Sequence, residues 1–293
     1  MGKRARTLEK LELASKFKSK AGIQAYTMFD YHVHTHYCRH AIGEADEYVK
    51  VAIRKGLKEM GFSDHYPMYY LPKLSYDDYS MNLEELPMYV KDIEEARRLF
   101  ASEIGVKIGV EVDYYREKES ILRRNLASLE FDYLIGVVHM IDDWVVDDHR
   151  NIHRYAEYDL NKLYSRYFKE VEALIRSGLF DIIGHIDVIK KFDILPEEGV
   201  EQYLKLCLDL ILKKDLCVEI NSSGLDRPIK DTFPGLNFLK KMYNHGIQVT
   251  LGSDAHHPTE VGRHFDIVVK ALKKAGYSKV VGFNKREKEL KGI

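Results

Sequence analysis

Phe29-Asp30-Tyr31-His32-Val33-His34 is the stretch on which the reading of this chain turns. It is short, apolar and β-branched, and it runs into histidine at its end. Side chains alternate across a strand, so His32 and His34 share one face while Val33 takes the other. An amphipathic stretch from about 44 to 55 follows, with Gly56 as its stop signal. A second short run, 59–62, then leads into Asp64 and His65. The same alternation continues to the end of the chain. Strands are expected at 106–112, 133–138, 180–183, 216–220 and 247–251. Helices are expected at about 83–100, 118–129, 159–177, 197–213, 235–245 and 261–275, two of them stopped by Gly178 and Gly246. Strand and helix in strict alternation predict an α/β fold around a parallel sheet, and seven or eight such strands close naturally into a barrel.

Length and composition agree with one barrel. The 293 residues are 45% hydrophobic and 31% charged, a balance typical of a globular protein. Net charge is −1, from 45 basic and 46 acidic side chains, so no basic excess announces a nucleic-acid partner. No apolar run is long enough to span a bilayer. The odd set Cys38, Cys207 and Cys217 suggests reduced thiols and a cytoplasmic location. Residues 1–28 read as a helical or flexible extension, and 29–293 as the barrel domain.

The 13 histidines are distributed with a pattern. Strand one is followed by His32, His34 and His40, and strand two by Asp64 and His65. Strand three ends at Glu111 and Asp113, strand four at His139, and strand five at His185 and Asp187. Strand six ends at Glu219 and Asn221, strand seven at Asp254 and His256. The C-terminal strand ends of a parallel barrel converge on one face. Residues 200 positions apart are therefore expected to meet in one bowl. Imidazoles and carboxylates crowded there are best satisfied by divalent metal, and mixed nitrogen and oxygen donors suit zinc, manganese or iron. Asp64 and Asp113 have a second reading as helix caps. His149, His153, His245 and His264 have no strand-end placement, while His36 and His257 sit beside expected ligands.

The motifs Asp30-Tyr31-His32-Val33-His34-Thr35, Ser63-Asp64-His65, Gly109-Val110-Glu111-Val112-Asp113, Gly136-Val137-Val138-His139, Gly184-His185-Ile186-Asp187 and Gly252-Ser253-Asp254-Ala255-His256 resemble those of the polymerase and histidinol phosphatase (PHP) superfamily. Within it, His36 to His40, Val138 to Trp144, Gly184 to Lys190 and Glu219 to Leu225 are most similar to histidinol-phosphate phosphatases. Val137 stands where relatives often carry serine. The resemblance implies a distorted, TIM-like (β/α)7 barrel and three divalent ions. One would be held by His32, His34, Glu111 and Asp254, a second by His40, His65 and His256, and a third by Glu111, His139 and His185. Glu111 would bridge the first and third, and Glu111, Asp254 and His256 would stand closest to the chemistry.

The expected reaction is hydrolysis of L-histidinol phosphate to L-histidinol and inorganic phosphate, in histidine biosynthesis, by a hydroxide shared between two ions. Arg227 is the first candidate for the phosphate, because a guanidinium forks onto two oxygens. Lys190 is the second. Trp144 and His257 are candidates for the rest of the substrate, and Asp64 and His257 for protonating the leaving oxygen. Another small phosphate ester, a nuclease-like activity, or a module whose ions only stabilise the fold remain as alternatives.

Overall fold

The structure is a computed structural model, and it describes residues 28–71, 79–142 and 144–293. Of the expected N-terminal extension, only Met28 lies among the described residues.

The first element, β1 (Phe29–Asp30), leads through the turn at residues 36–38 into α1 (Ala45–Lys55) and then β2 (Glu59–Phe62). Next come α2 (Leu86–Leu99), β3 (Gly105–Asp113), α3 (Glu119–Leu126) and β4 (Tyr133–Val137). A small hairpin of β5 (Met140–Ile141) and β6 (Trp144–Val145) precedes α4 (Leu160–Ser177) and β7 (Ile182–Ile183). Then follow α5 (Glu201–Lys213), β8 (Cys217–Asn221), α6 (Leu239–Asn244), β9 (Gln248–Gly252) and α7 (Phe265–Ala275). The chain ends in a hairpin of β10 (Lys279–Asn284) and β11 (Glu287–Gly292).

Seven strands form one sheet in the order β1-β2-β3-β4-β7-β8-β9, every pair parallel. The two edges meet. Tyr31 N donates to Leu251 O at 3.0 Å, His34 N to Ala255 O at 2.9 Å, and Val33 bridges Ala255 in parallel. The result is the nearly closed, TIM-like barrel that the alternation of elements predicts. Among the described residues, no helix is long and apolar enough to cross a membrane.

The helices obey local rules. Glu44 and Glu47 form a capping box at the start of α1, and Gly56 ends it at φ +79°. Asp159 caps α4 by accepting from Lys162 N. That helix buries Leu163, Tyr164, Tyr167, Phe168, Val171, Leu174 and Ile175, the three-and-four spacing of a core-facing stripe.

Boundaries shift where backbone geometry overrides periodicity. The first strand is two residues long; beyond it Tyr31 N donates to Leu251 O on β9, while Val33 O accepts from Ser63 N just past β2. The helix expected from 235 opens with a tight turn, Leu236–Phe238. The helix expected from 261 begins at Phe265, because His264 sits at φ +58°. The terminal hairpin lies beyond the last expected helix and has no counterpart in the reading of the sequence.

That hairpin plugs the N-terminal end of the barrel. Lys291 Nζ lies 2.8 Å from both Glu59 oxygens, Arg286 pairs with Asp181, and Thr250 Oγ1 donates to Val281 O. Inside, the buried Tyr133 ring donates its hydroxyl to Tyr31 O and Phe62 O at 2.8 and 2.9 Å. Its path requires glycine on two neighbouring strands. A Cβ at Gly61 or Gly109 would stand 2.2 or 2.4 Å from the tyrosine. The opposite rim is formed by the strand C-termini.

Candidate metal centre

That rim gathers His32, His34, His40, His65, Glu111, His139, His185, Asp254 and His256. The imidazoles pack ring against ring. Centroids are 4.3 Å apart for His34 and His256, 4.5 Å for His40 and His256, 4.8 Å for His34 and His65, and 4.8 Å for His139 and His185. Glu111 lies at the centre. Its Oε1 is 2.8 Å from His185 Nε2, 3.5 Å from His32 Nε2 and 3.9 Å from His139 Nε2. Its Oε2 is 3.0 Å from His65 Nδ1 and 3.5 Å from His34 Nε2. Asp254, at φ +51°, brings Oδ1 to 3.5 Å from both His34 Nε2 and His256 Nδ1.

Outer groups set the direction of each ring. His32 Nδ1 faces Glu219 Oε1 at 2.6 Å, and His139 Nδ1 faces Asp113 Oδ1 at 2.8 Å. His40 Nδ1 faces Cys38 O at 2.7 Å, and His256 Nδ1 faces Asp254 O at 3.0 Å. Those acceptors hold the proton on Nδ1 and leave the Nε2 lone pair pointing inward. Glu219 reaches His32 only because residue 252 is glycine: a Cβ there would lie 1.8 Å from Glu219 Oε1. Its other oxygen accepts from His185 N at 2.7 Å.

Charge follows from this packing. Burial, reinforced by His256 and His65, pulls His40 down to about 3 and His34 well below the ordinary histidine range. Both are neutral donors at pH 7. Burial opposes ionisation of Glu111, but His65 and His32 outweigh it and hold the carboxyl well below its usual range.

A divalent ion fits these donors on their own evidence. His40 Nε2 and His256 Nε2 lie 2.8 Å apart although each ring has its proton directed the other way, so two lone pairs face each other. His32 Nε2, both nitrogens of His34, His65 Nδ1 and His185 Nδ1 are buried without a hydrogen-bond partner. Orphaned buried nitrogens of this kind are costly unless a cation takes them up.

Above the cluster opens a cavity of about 670 Å³. Arg227, the first candidate for the phosphate, lines it. Three other expected substrate residues do not. Lys190 is buried, with Nζ 2.8 Å from Asp187 Oδ2 and 5.6 Å from the Phe233 ring centroid. Trp144 is buried against Tyr158 and Tyr155 as core packing. His257 turns to Thr259 outside the cavity. Asp64 lies beneath the cluster, accepting from Thr35 N and Oγ1, and also does not line the cavity.

Asp147, Asp148, Arg150 and Lys191 line the wall without having been singled out from the sequence; Arg39, from the His36 to His40 motif, and His149, which had no strand-end placement, line it too. The sequence signal for four of these was the charged run Asp147-Asp148-His149-Arg150 shortly after His139. Glu219 and Asp113 were visible as strand-end carboxylates, but nothing in the sequence showed that they would face histidines rather than ions.

The chain is similar to known proteins in sequence and in fold. Residues 30–223 match the PHP domain family. A Deinococcus radiodurans protein named "Probable histidinol-phosphatase" is 36% identical over 258 residues, covering 88% of this chain and 97% of that protein. The Bacillus subtilis "Histidinol-phosphatase" is 24% identical over 263 residues, covering 81% and 96%. Among solved structures, the Lactococcus lactis histidinol phosphate phosphatase, complexed with zinc, L-histidinol and phosphate, superposes with a TM-score of 0.79 at 24% identity, covering 90% of this chain and 99% of that one.

Proposed function

We propose that this chain, which belongs to the PHP domain family, hydrolyses L-histidinol phosphate to L-histidinol and inorganic phosphate. Its extensive match to proteins named for that reaction supports the substrate. The observation that carries the chemistry is the inward-facing set of unpartnered histidine nitrogens around the ionised Glu111. In this reading His32, His34, Glu111 and Asp254 hold one divalent ion. His40, His65 and His256 hold a second, and Glu111, His139 and His185 a third. Zinc, manganese and iron all suit these donors. When bound, such ions lower the pKa of water and neutralise charge on a phosphoryl group.

The chain's own side chains do the rest. Glu111 is buried at the floor of the cavity, where its charge is weakly screened. Glu219 and Asp113 keep His32 and His139 in one tautomer. Arg227 on the cavity wall offers a planar fork to phosphate oxygens. Asp147 and Asp148 also line the wall, each paired with a cation there: Asp147 Oδ2 with Lys191 Nζ at 2.9 Å, and Asp148 Oδ2 with Arg150 Nε at 2.8 Å. The reaction belongs to amino-acid biosynthesis in the cytoplasm.

The test is phosphate release from L-histidinol phosphate beside a panel of other monoesters, on zinc-, manganese- and iron-loaded protein. Histidinol phosphate should give the highest kcat/KM. Equal rates across the panel would defeat the substrate assignment, and no phosphate release from any ester would defeat the enzymatic reading.

A further inference from the structure

We propose that Cys38 is a metal ligand, supplying a sulfur donor to the ion held by His40 and His256; this rests on the ion-binding reading above. The tight turn His36–Cys38 is capped by Thr35, and Arg39 then reverses the chain at φ +70°. That reversal puts the Cys38 side chain and the His40 ring on the same side. The Sγ and one ring nitrogen each of His40 and His256 all lie within 4.8 Å of one another.

Independent features point the same way. Cys38 is fully buried, yet it stands outside the hydrophobic core cluster that takes in Cys207 and Cys217. A second group, His34, Cys38 and Asp64, also has its ligand atoms within 4.8 Å, and it is buried throughout. In it, His34 Nδ1 and Asp64 Oδ2 have no hydrogen-bond partner. The sulfur thus lies between two sets of unsatisfied donors. Cys38 O also fixes the His40 ring through Nδ1, so one residue orients one donor and offers another.

Coordination forms one sulfur–metal bond and releases the thiol proton to solvent, with no change of oxidation state. A thiolate among imidazoles is softer than the donors elsewhere in the cluster, so this position should select zinc over manganese.

Cobalt(II) replacing the native ions in the full chain provides a readout independent of turnover. Cys207 lies in α5, and Cys217 begins β8 at the plugged end of the barrel, so a sulfur-to-cobalt charge-transfer band can arise only at Cys38. Wild-type protein should show that band together with the ligand-field bands of histidine-bound cobalt. C38S and C38A should both lose the charge-transfer band and keep the ligand-field bands. They should also bind one zinc equivalent at least about 10-fold more weakly, since even outer partners of a ligand are worth that much. Ligand-field bands without charge transfer in the wild type would overturn the role of Cys38 and leave the ion cluster standing. Failure to bind cobalt or zinc at all would overturn both. A charge-transfer band surviving in C38S would overturn the assignment to this residue.

Discussion

His32 Nδ1 lies 2.6 Å from a carboxylate oxygen of Glu219, 187 residues further along the chain, and both side chains are fully buried. The pair fixes which His32 nitrogen faces the cluster. E219Q should keep the fold but weaken binding of an ion by about 10–100-fold, the usual cost of removing such a partner. Chelator competition on purified protein would measure it. Unchanged affinity would show that His32 is held by packing alone. G252A should weaken binding in the same direction, because its Cβ displaces the same carboxylate.

Glu111 lies within 4.0 Å of His32, His34, His65, His139 and His185. E111Q keeps the volume and removes the charge. It should lose turnover by orders of magnitude while its circular dichroism remains that of the wild type. Near-normal kcat in that variant would refute the bridging role.

Arg227 and Lys190 separate a surface role from a buried one. R227A should raise KM for the phosphate ester, and R227K should restore it only in part, since an ammonium lacks the fork. K190M strands the buried Asp187 carboxylate, and breaking a buried pair in this way costs about 3–5 kcal/mol. Thermal unfolding should therefore fall strongly in K190M with little change of KM in the protein that remains folded. A large KM effect in K190M would return Lys190 to the substrate site.

Tyr133 ties strands together from inside the barrel. Y133F leaves Tyr31 O and Phe62 O without their donor, a loss of about 1–3 kcal/mol for an unsatisfied buried group. A chain of this length should then melt several degrees lower. An unchanged Tm would mean that another donor reaches those carbonyls.

Removing ions should destabilise the protein as well as inactivate it. The crowded lone pairs of His40 and His256 lose their common partner in the apo state. An ion at 100 times its Kd contributes about 2.7 kcal/mol. Melting curves with and without chelator should differ accordingly, and re-addition of zinc should restore the higher Tm. Identical curves would indicate that the cluster is satisfied without metal.

Much of this was legible in the chain itself. Alternation of short apolar runs with amphipathic stretches is a local property, and it predicted the seven parallel strands of the barrel. Strand ends are local as well, so His32, His34, Glu111, His185 and Asp254 could be assigned to one rim once a barrel was inferred. Other features depend on what lies across the fold. Lys190 and Trp144 follow strand-end motifs, yet each side chain turns into the interior because an Asp187 carboxylate or a pair of tyrosine rings waits there. The terminal hairpin became a plug only because Glu59, Asp181 and Thr250 meet it at the far end. The approach of Glu219 to His32, and of the Cys38 sulfur to two imidazoles, has no periodic signature. Repeating patterns report which face a residue occupies; the few ångströms that decide a tautomer or a ligand are set by non-local packing.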